Sequence, residues 1–226
     1  MYLSIEKKEK VLKVLLFSFL CFLIASSFKV NNSIQPFQCS IDTANFNNEY
    51  VIVYKNRSLL NNNTDHQIEK RIIVALSDVL TVTNGKNIQL KRGSILVFKE
   101  SETYHILSGE YFEIGVKKSH PKPEPPKIWY EPTQNNIVYD DNDFRVFEER
   151  LAPHHDRDLH SHLQRLVVRL NTVHLTDPRY YPNGQEGKGI QESNTIKFAE
   201  PIEHVVRNLS DIPLFNIVIE FKHSQV

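Results

Sequence analysis

Two cysteines, one methionine, one tryptophan and seven glycines are all that this 226-residue chain holds of those types. So little glycine excludes collagen-like or linker character. Net charge is missing too: 27 basic residues stand against 27 acidic ones. There is therefore no basic footprint for nucleic acid and no block suited to a polyelectrolyte partner. The sequence also lacks a G-x-S-x-G elbow, a Cys/His nucleophile pair, a Walker loop and a dinucleotide fingerprint, which speaks against nucleophilic catalysis and nucleotide binding. Against these absences stands a core: 40% hydrophobic and 10% aromatic residues exclude compositional disorder. The length admits one large domain or two small ones.

The N-terminus differs from the rest. Lys7, Lys8, Lys10 and Lys13 precede an apolar run, Val14 to Ala25, with Ala25 and Ser27 at small-residue spacing. That pattern predicts a secretory signal peptide over residues 1–27, cut after Ser27. The run is well short of the roughly 20 residues that span a bilayer; an uncleaved membrane anchor is the alternative. The expected location is therefore exported, periplasmic or extracellular, with membrane contact only through an uncleaved N-terminal segment. Cleavage removes four lysines and two glutamates, leaving 23 basic and 25 acidic residues. It also removes Cys21, so Cys39 alone remains and no intrachain disulfide can form. The mature chain must hold together by its core.

His120 to Lys127 carries four of the eleven prolines and reads as an extended spacer. It separates two parts that resemble each other. Glu69 to Val79 lies over Leu163 to Val173, with His66 on His160 and Ile68 on His162. Ile95-Leu96-Val97-Phe98 with Tyr104-His105 answers Thr195-Ile196-Lys197-Phe198 with Glu203-His204, and Tyr111 to Lys117 lies over Leu214 to Glu220. Three matches in one order argue for an internal duplication. In both parts short runs rich in Val, Ile, Leu and Phe, bounded by Asn, Asp, Gly or Pro, read as strands. Many short strands with turns between them predict an all-β sandwich or barrel. The expected organisation is a signal peptide (1–27), a lead-in segment (28–43), an N-terminal barrel (44–119), a proline-rich linker (120–132) and a C-terminal barrel (133–226). Asp177 to Glu192, with two prolines and three glycines, is expected to be an exposed loop, in which Tyr180-Tyr181 could cover a cavity mouth.

His160-Ser161-His162 and, some forty residues on, His204-Val205-Val206-Arg207-Asn208 carry the chemistry. Side chains at i and i+2 of a strand share a face, so His160 and His162 project together and a histidine from another strand can close a three-imidazole site. The alternative is a pair of polar strand residues facing solvent. His154 and His155 read as a hydrophilic turn. His174 shares parity with Leu166, Val168 and Leu170 and is a reserve ligand. Arg165 and Arg169 share the opposite parity, which reads as a solvated outer face; a cavity face holding a carboxylate is the alternative. Asn208 reads as a turn residue closing a strand.

These residues resemble the cupin superfamily, and the two halves a degenerate bicupin. His160-Ser161-His162 is similar to the histidine pair of the first cupin motif, G-x5-H-x-H-x3,4-E-x6-G. His204 to Asn208 is similar to the H-x3-N end of the second. The resemblance implies two tandem double-stranded β-helix (jelly-roll) barrels. It also implies a metal site of His160, His162 and His204 for a divalent transition metal: Fe, Mn, Ni, Cu or Zn. The motif glutamate should fall at Leu166 or Val167, neither of which binds metal, so the expected set is three neutral nitrogens without a carboxylate. Three imidazoles with an open position suffice for Zn²⁺, and related sets suit Fe, Cu or Ni. The N-terminal half keeps only His66 and His105 and reads as a barrel that has lost its site. The functional expectation is metal-dependent chemistry, oxygenase or isomerase-type, on a small polar or anionic molecule. The alternative is a non-catalytic ligand- or partner-binding module. Pairing through strand edges would make a homodimer.

Overall fold

Alternating and β-branched apolar runs become strands throughout the described part of the chain. The computed structural model describes residues 44–57, 67–100, 102–124, 128–131, 135–179 and 189–222. The signal-peptide and lead-in segments, His66 and Tyr180-Tyr181 lie outside these residues. Among the described residues there are 17 strands and no helix, and no helix is long and apolar enough to cross a membrane. In the first half these are β1 (Phe46–Asn47), β2 (Val51–Lys55), β3 (Ile68–Ala75), β4 (Val79–Thr83), β5 (Lys86–Leu90), β6 (Ile95–Lys99), β7 (Tyr104–Ser108) and β8 (Tyr111–Lys117). The second half begins with β9 (Asn136–Asp140), β10 (Phe144–Leu151), β11 (Asp156–His162), β12 (Arg165–Arg169) and β13 (Val173–Thr176). It ends with β14 (Gly189–Gln191), β15 (Thr195–Ala199), β16 (Ile202–Asn208) and β17 (Leu214–Phe221).

All pairings are antiparallel, and each half builds one five-stranded sheet and one smaller sheet. The orders are β1-β2-β8-β3-β6 and β5-β4-β7 in the first half, β9-β10-β17-β12-β15 and β14-β13-β16-β11 in the second. The strand order of the five-stranded sheets is the same. One alignment shifts: Val74 pairs with Phe112 while Val168 pairs with Ile217, so the last strands correspond two residues later than the sequence match placed them. A shift of two preserves which side chains face which way.

Parity sorts the side chains of the five-stranded sheets. On β12 and β17, Leu166, Val168, Ile217, Ile219 and Phe221 face a core that also contains Val51, Val53, Ile72, Val74, Ile114 and Val116 from the first half. Tyr50 packs against Phe221 in a tilted pair with ring centroids 4.8 Å apart, and Lys70 reaches Asp141 at 2.7 Å. The two large sheets therefore share one apolar core and turn their other faces into their own barrels. Those inner faces carry Phe147, Val167 and Val218 in the second half and Ile73, Ala75 and Tyr111 in the first. In the first half the interior is also ionic: Glu113 is buried 3.1 Å from Arg57 and 3.7 Å from Arg71.

Gly85, Gly93 and Gly109 take positive φ, and the first two serve different purposes. Asn84-Gly85 connects β4 to β5 with φ of 50° and 72°, a two-residue turn closed by the Thr83–Lys86 pair; its positive angles match the twist of the flanking strands. Gly93, at φ 83°, lies so close to the second half that a Cβ there would sit 2.4 Å from Phe215 Cζ.

Candidate metal centre

The three histidines converge through strand pairing. β11 and β16 are antiparallel neighbours in which His160 is the direct partner of His204. His162 follows on the same face of β11, after an irregularity between Arg157 and His160 that re-aims the strand. The ring centroids of His160 lie 4.5 Å from His204 and 4.8 Å from His162. One nitrogen from each ring falls within 4.8 Å of the other two. Ser161, between them, points the other way, and its hydroxyl accepts a bond from the Tyr130 amide. The expected i, i+2 geometry is thus present, and His160 and His162 are 2% and 1% exposed rather than solvated.

Outer partners set the tautomers. Nδ1 of His160 donates to the Asp158 carbonyl at 2.7 Å, and Nδ1 of His162 donates to the Glu220 carboxylate at 3.0 Å. A carbonyl and an ionised carboxylate only accept, so the proton sits on Nδ1 and the Nε2 lone pair of each ring faces inward. Nε2 of His160 and of His204 are buried with no hydrogen-bond partner among the described residues. Buried polar nitrogens without partners are uncommon and costly, and neutral imidazoles with inward lone pairs and fixed outer N–H groups are what a metal requires. Burial, with the charges of the other two rings, pushes His204 down to about 2. Burial, then Arg157, lowers His160, and burial, then Arg165, lowers His162 well below its ordinary value. All three rings are therefore neutral donors at physiological pH.

The converging set is the three histidines without a carboxylate, yet two glutamates stand close around it. Position 167 is Val167, as the sequence indicates, but β10 and β17 each bring in a buried glutamate. Glu149 Oε1 lies 4.0 Å from His162 Nε2. Burial alone would raise its carboxyl; His162, Arg157, Arg165 and a bond from Asn216 outweigh this and hold it below its ordinary value. Glu220 is fully buried and bonded to Arg145 as well as His162. Neither belongs to a motif, so their parity opposite the apolar stripe was the only signal in the sequence.

A correction concerns Arg165 and Arg169. Their face is not the outer one. The apolar even positions of β12 are consumed by the core between the halves, and the odd positions line a cavity of about 140 Å³. Its wall holds His162, His204, Glu149, Arg165, Arg169 and Lys197 together with the apolar Val167, Leu175, Val206 and Leu214. Among the described residues Arg165 bonds to the carbonyls of Leu163 and Glu200, and Arg169 Nε is buried without a partner. Glu149, the one carboxylate among the described residues of the wall, bonds to Arg157 and Asn216. The cavity thus carries excess positive charge.

The remaining candidates lie elsewhere. His174, despite its parity, is exposed on β13, because the chain leaves the large sheet after Leu170 and the alternation restarts. His154 bonds to Asp211 at 2.8 Å and His155 is exposed. His105 is exposed on β7. Asn208 closes β16, its amide donating to the carbonyls of Ala152 and Ile212.

No protein-family model matches the chain, and no curated protein does. Solved structures do. A putative glyoxylate-induced protein of Pseudomonas aeruginosa matches at TM-score 0.55 and 9% identity over 79% of this chain and 78% of that one. A cupin 2 conserved barrel domain protein from Leptotrichia buccalis matches at TM-score 0.48 and 12% identity, covering 80% of this chain and 88% of its own. A salicylate 1,2-dioxygenase variant from Pseudoaminobacter salicylatoxidans gives TM-score 0.48 and 7% identity over 76% of this chain and 71% of that one. At TM-score 0.55 the chain shares its fold with the Pseudomonas aeruginosa protein: all-β, of jelly-roll type, here with a three-histidine cluster in the second half.

Proposed function

We propose that the second half is a metal-binding barrel that takes a small anion beside its ion, in an exported protein whose first 27 residues are its signal. The observation that carries this is the pair of buried Nε2 atoms on His160 and His204, unpartnered among the described residues, which converge with His162. His160, His162 and His204 would hold a divalent transition metal. When bound, such an ion supplies a Lewis acid with a position open to water, oxygen or substrate. The chain's own residues do the rest. The Asp158 carbonyl and Glu220 fix two of the rings. Arg165 and Arg169, with Lys197 nearby, attract and orient an anion, and Arg forks suit carboxylates. The apolar wall of Val167, Val206 and Leu214 limits water.

The cavity, about 140 Å³, is close to the ~150 Å³ that holds one benzene, so the ligand has on the order of six non-hydrogen atoms. Oxygenase or isomerase chemistry suits such a site. The matching strand order of the two large sheets supports an origin by duplication, with the N-terminal copy now structural.

Elemental mass spectrometry of the purified full chain, beside a His160→Ala/His204→Ala double variant, tests the reading. Near-stoichiometric transition metal in the first and none in the second is expected. No metal in either, after reconstitution with Fe, Mn, Ni, Cu and Zn in turn, would sink it.

A further inference from the structure

We propose that Glu149 is the carboxylate donor of this centre, so that an ion held by His160, His162 and His204 also takes an oxygen from β10. The inference rests on the metal reading above and adds a ligand outside the histidine-bearing strands. Glu149 faces the same cavity as His162 and His204. Its Oε1 lies 4.0 Å from His162 Nε2, beside the three converging rings rather than among them.

The two buried glutamates differ in what they have left to give. A carboxylate has about four lone-pair sites. Glu220 has spent them: Oε1 accepts from Arg145 Nε and Nη2, and Oε2 from His162 Nδ1 and the Leu163 amide. It is a positioning residue for His162. Glu149 has not: Oε1 accepts from Arg157 at 2.9 Å and Oε2 from Asn216 at 2.8 Å, one bond each. Those two bonds fix the plane of the carboxylate and leave lone pairs free.

Charge points the same way. A divalent ion among neutral imidazoles, with Arg157 and Arg165 close by, would place several positive charges in a dry interior. Uncompensated buried charge is strongly unfavourable. Glu149, bonded directly to the ion, offsets it at the shortest range. A bare ion pair with Arg157 would account for its burial, but not for its approach to the inward nitrogen of His162.

The test titrates Co²⁺ into the metal-free full chain and follows visible absorption and Kd. Wild type should take up one Co²⁺. Glu149→Gln should bind at least about tenfold more weakly, the scale on which supporting groups alone act, with an altered spectrum because an oxygen donor is lost. Arg157→Gln, which removes the ion pair but keeps the donor, should retain the wild-type spectrum. A folded Glu149→Gln variant with unchanged Kd and spectrum overturns the inference while the metal reading stands. If that variant does not fold, Glu149→Asp decides with the same readouts: it keeps the charge facing Arg157 but retracts the oxygens by one methylene. Failure of wild type to bind Co²⁺ removes the metal reading and this inference with it.

Discussion

At the scale of residues, the histidine cluster makes the fold sensitive to acid. Each ring is held neutral by burial, with His204 pushed down to about 2 and His160 and His162 also lowered. Unfolding frees each to take a proton near the ordinary value of about 6.5. Below that pH the unfolded chain binds more protons than the folded one, so stability is full above about 6.5 and declines as pH falls toward the depressed values. The slope approaches about 1.4 kcal/mol per pH unit for each ring that stays neutral. Denaturant unfolding of the metal-free chain between pH 7 and 5 should show this decline, and His204→Gln should make it shallower by about one ring's share. Identical pH dependence in the two proteins would count against a buried neutral His204.

Elements are joined by turns whose sequence is readable, but not always for the reason that matters. Asn84-Gly85 announces a two-residue turn, and nothing lies within 4 Å of a Cβ built on Gly85. Gly85→Ala should therefore be destabilising only through its positive φ, by about 1 kcal/mol. Gly93 looks like an ordinary loop glycine in the sequence. In the fold its missing Cβ is the space that Phe215 occupies, with Leu170 also close. Gly93→Ala adds overpacking to strain and should lose on the order of 2–4 kcal/mol. Chemical denaturation of the two variants side by side should show the difference; equal losses would mean that Phe215 moves aside freely. The same distinction applies to β12, whose alternation was plain while its two destinations were not.

Across the whole molecule the two large sheets share a single core. Neither half can then expose the outer face of its large sheet, the face turned to the shared core, without the other doing so. One calorimetric transition is expected for residues 44–222, coincident with loss of β-sheet circular dichroism. Phe221→Ala, which removes a fully buried ring packed on Tyr50, should lower that transition as a unit by about 3–5 kcal/mol. Two separated transitions, with only one responding to Phe221→Ala, would show that the halves unfold independently.

The sequence by itself determined the all-β class, the likeness of the two halves and the three histidines, because strand periodicity and a short H-x-H motif are local properties. It also showed that Val167 cannot serve as a metal ligand. What it could not contain was the use of each strand face. Arg165 and Arg169 alternate with apolar neighbours as any solvent-facing residues would; only the packing of the two large sheets against each other turned the apolar side outward from the barrel and the charged side inward. Glu149 and Glu220 belong to no motif, and they reach His162 because the inner face of the five-stranded sheet, on β10 and β17, meets the histidine-bearing β11 of the smaller sheet. Alternation along a strand is a property of the chain, whereas which of its two faces is wet depends on what packs there, and that is decided only when the sheets meet.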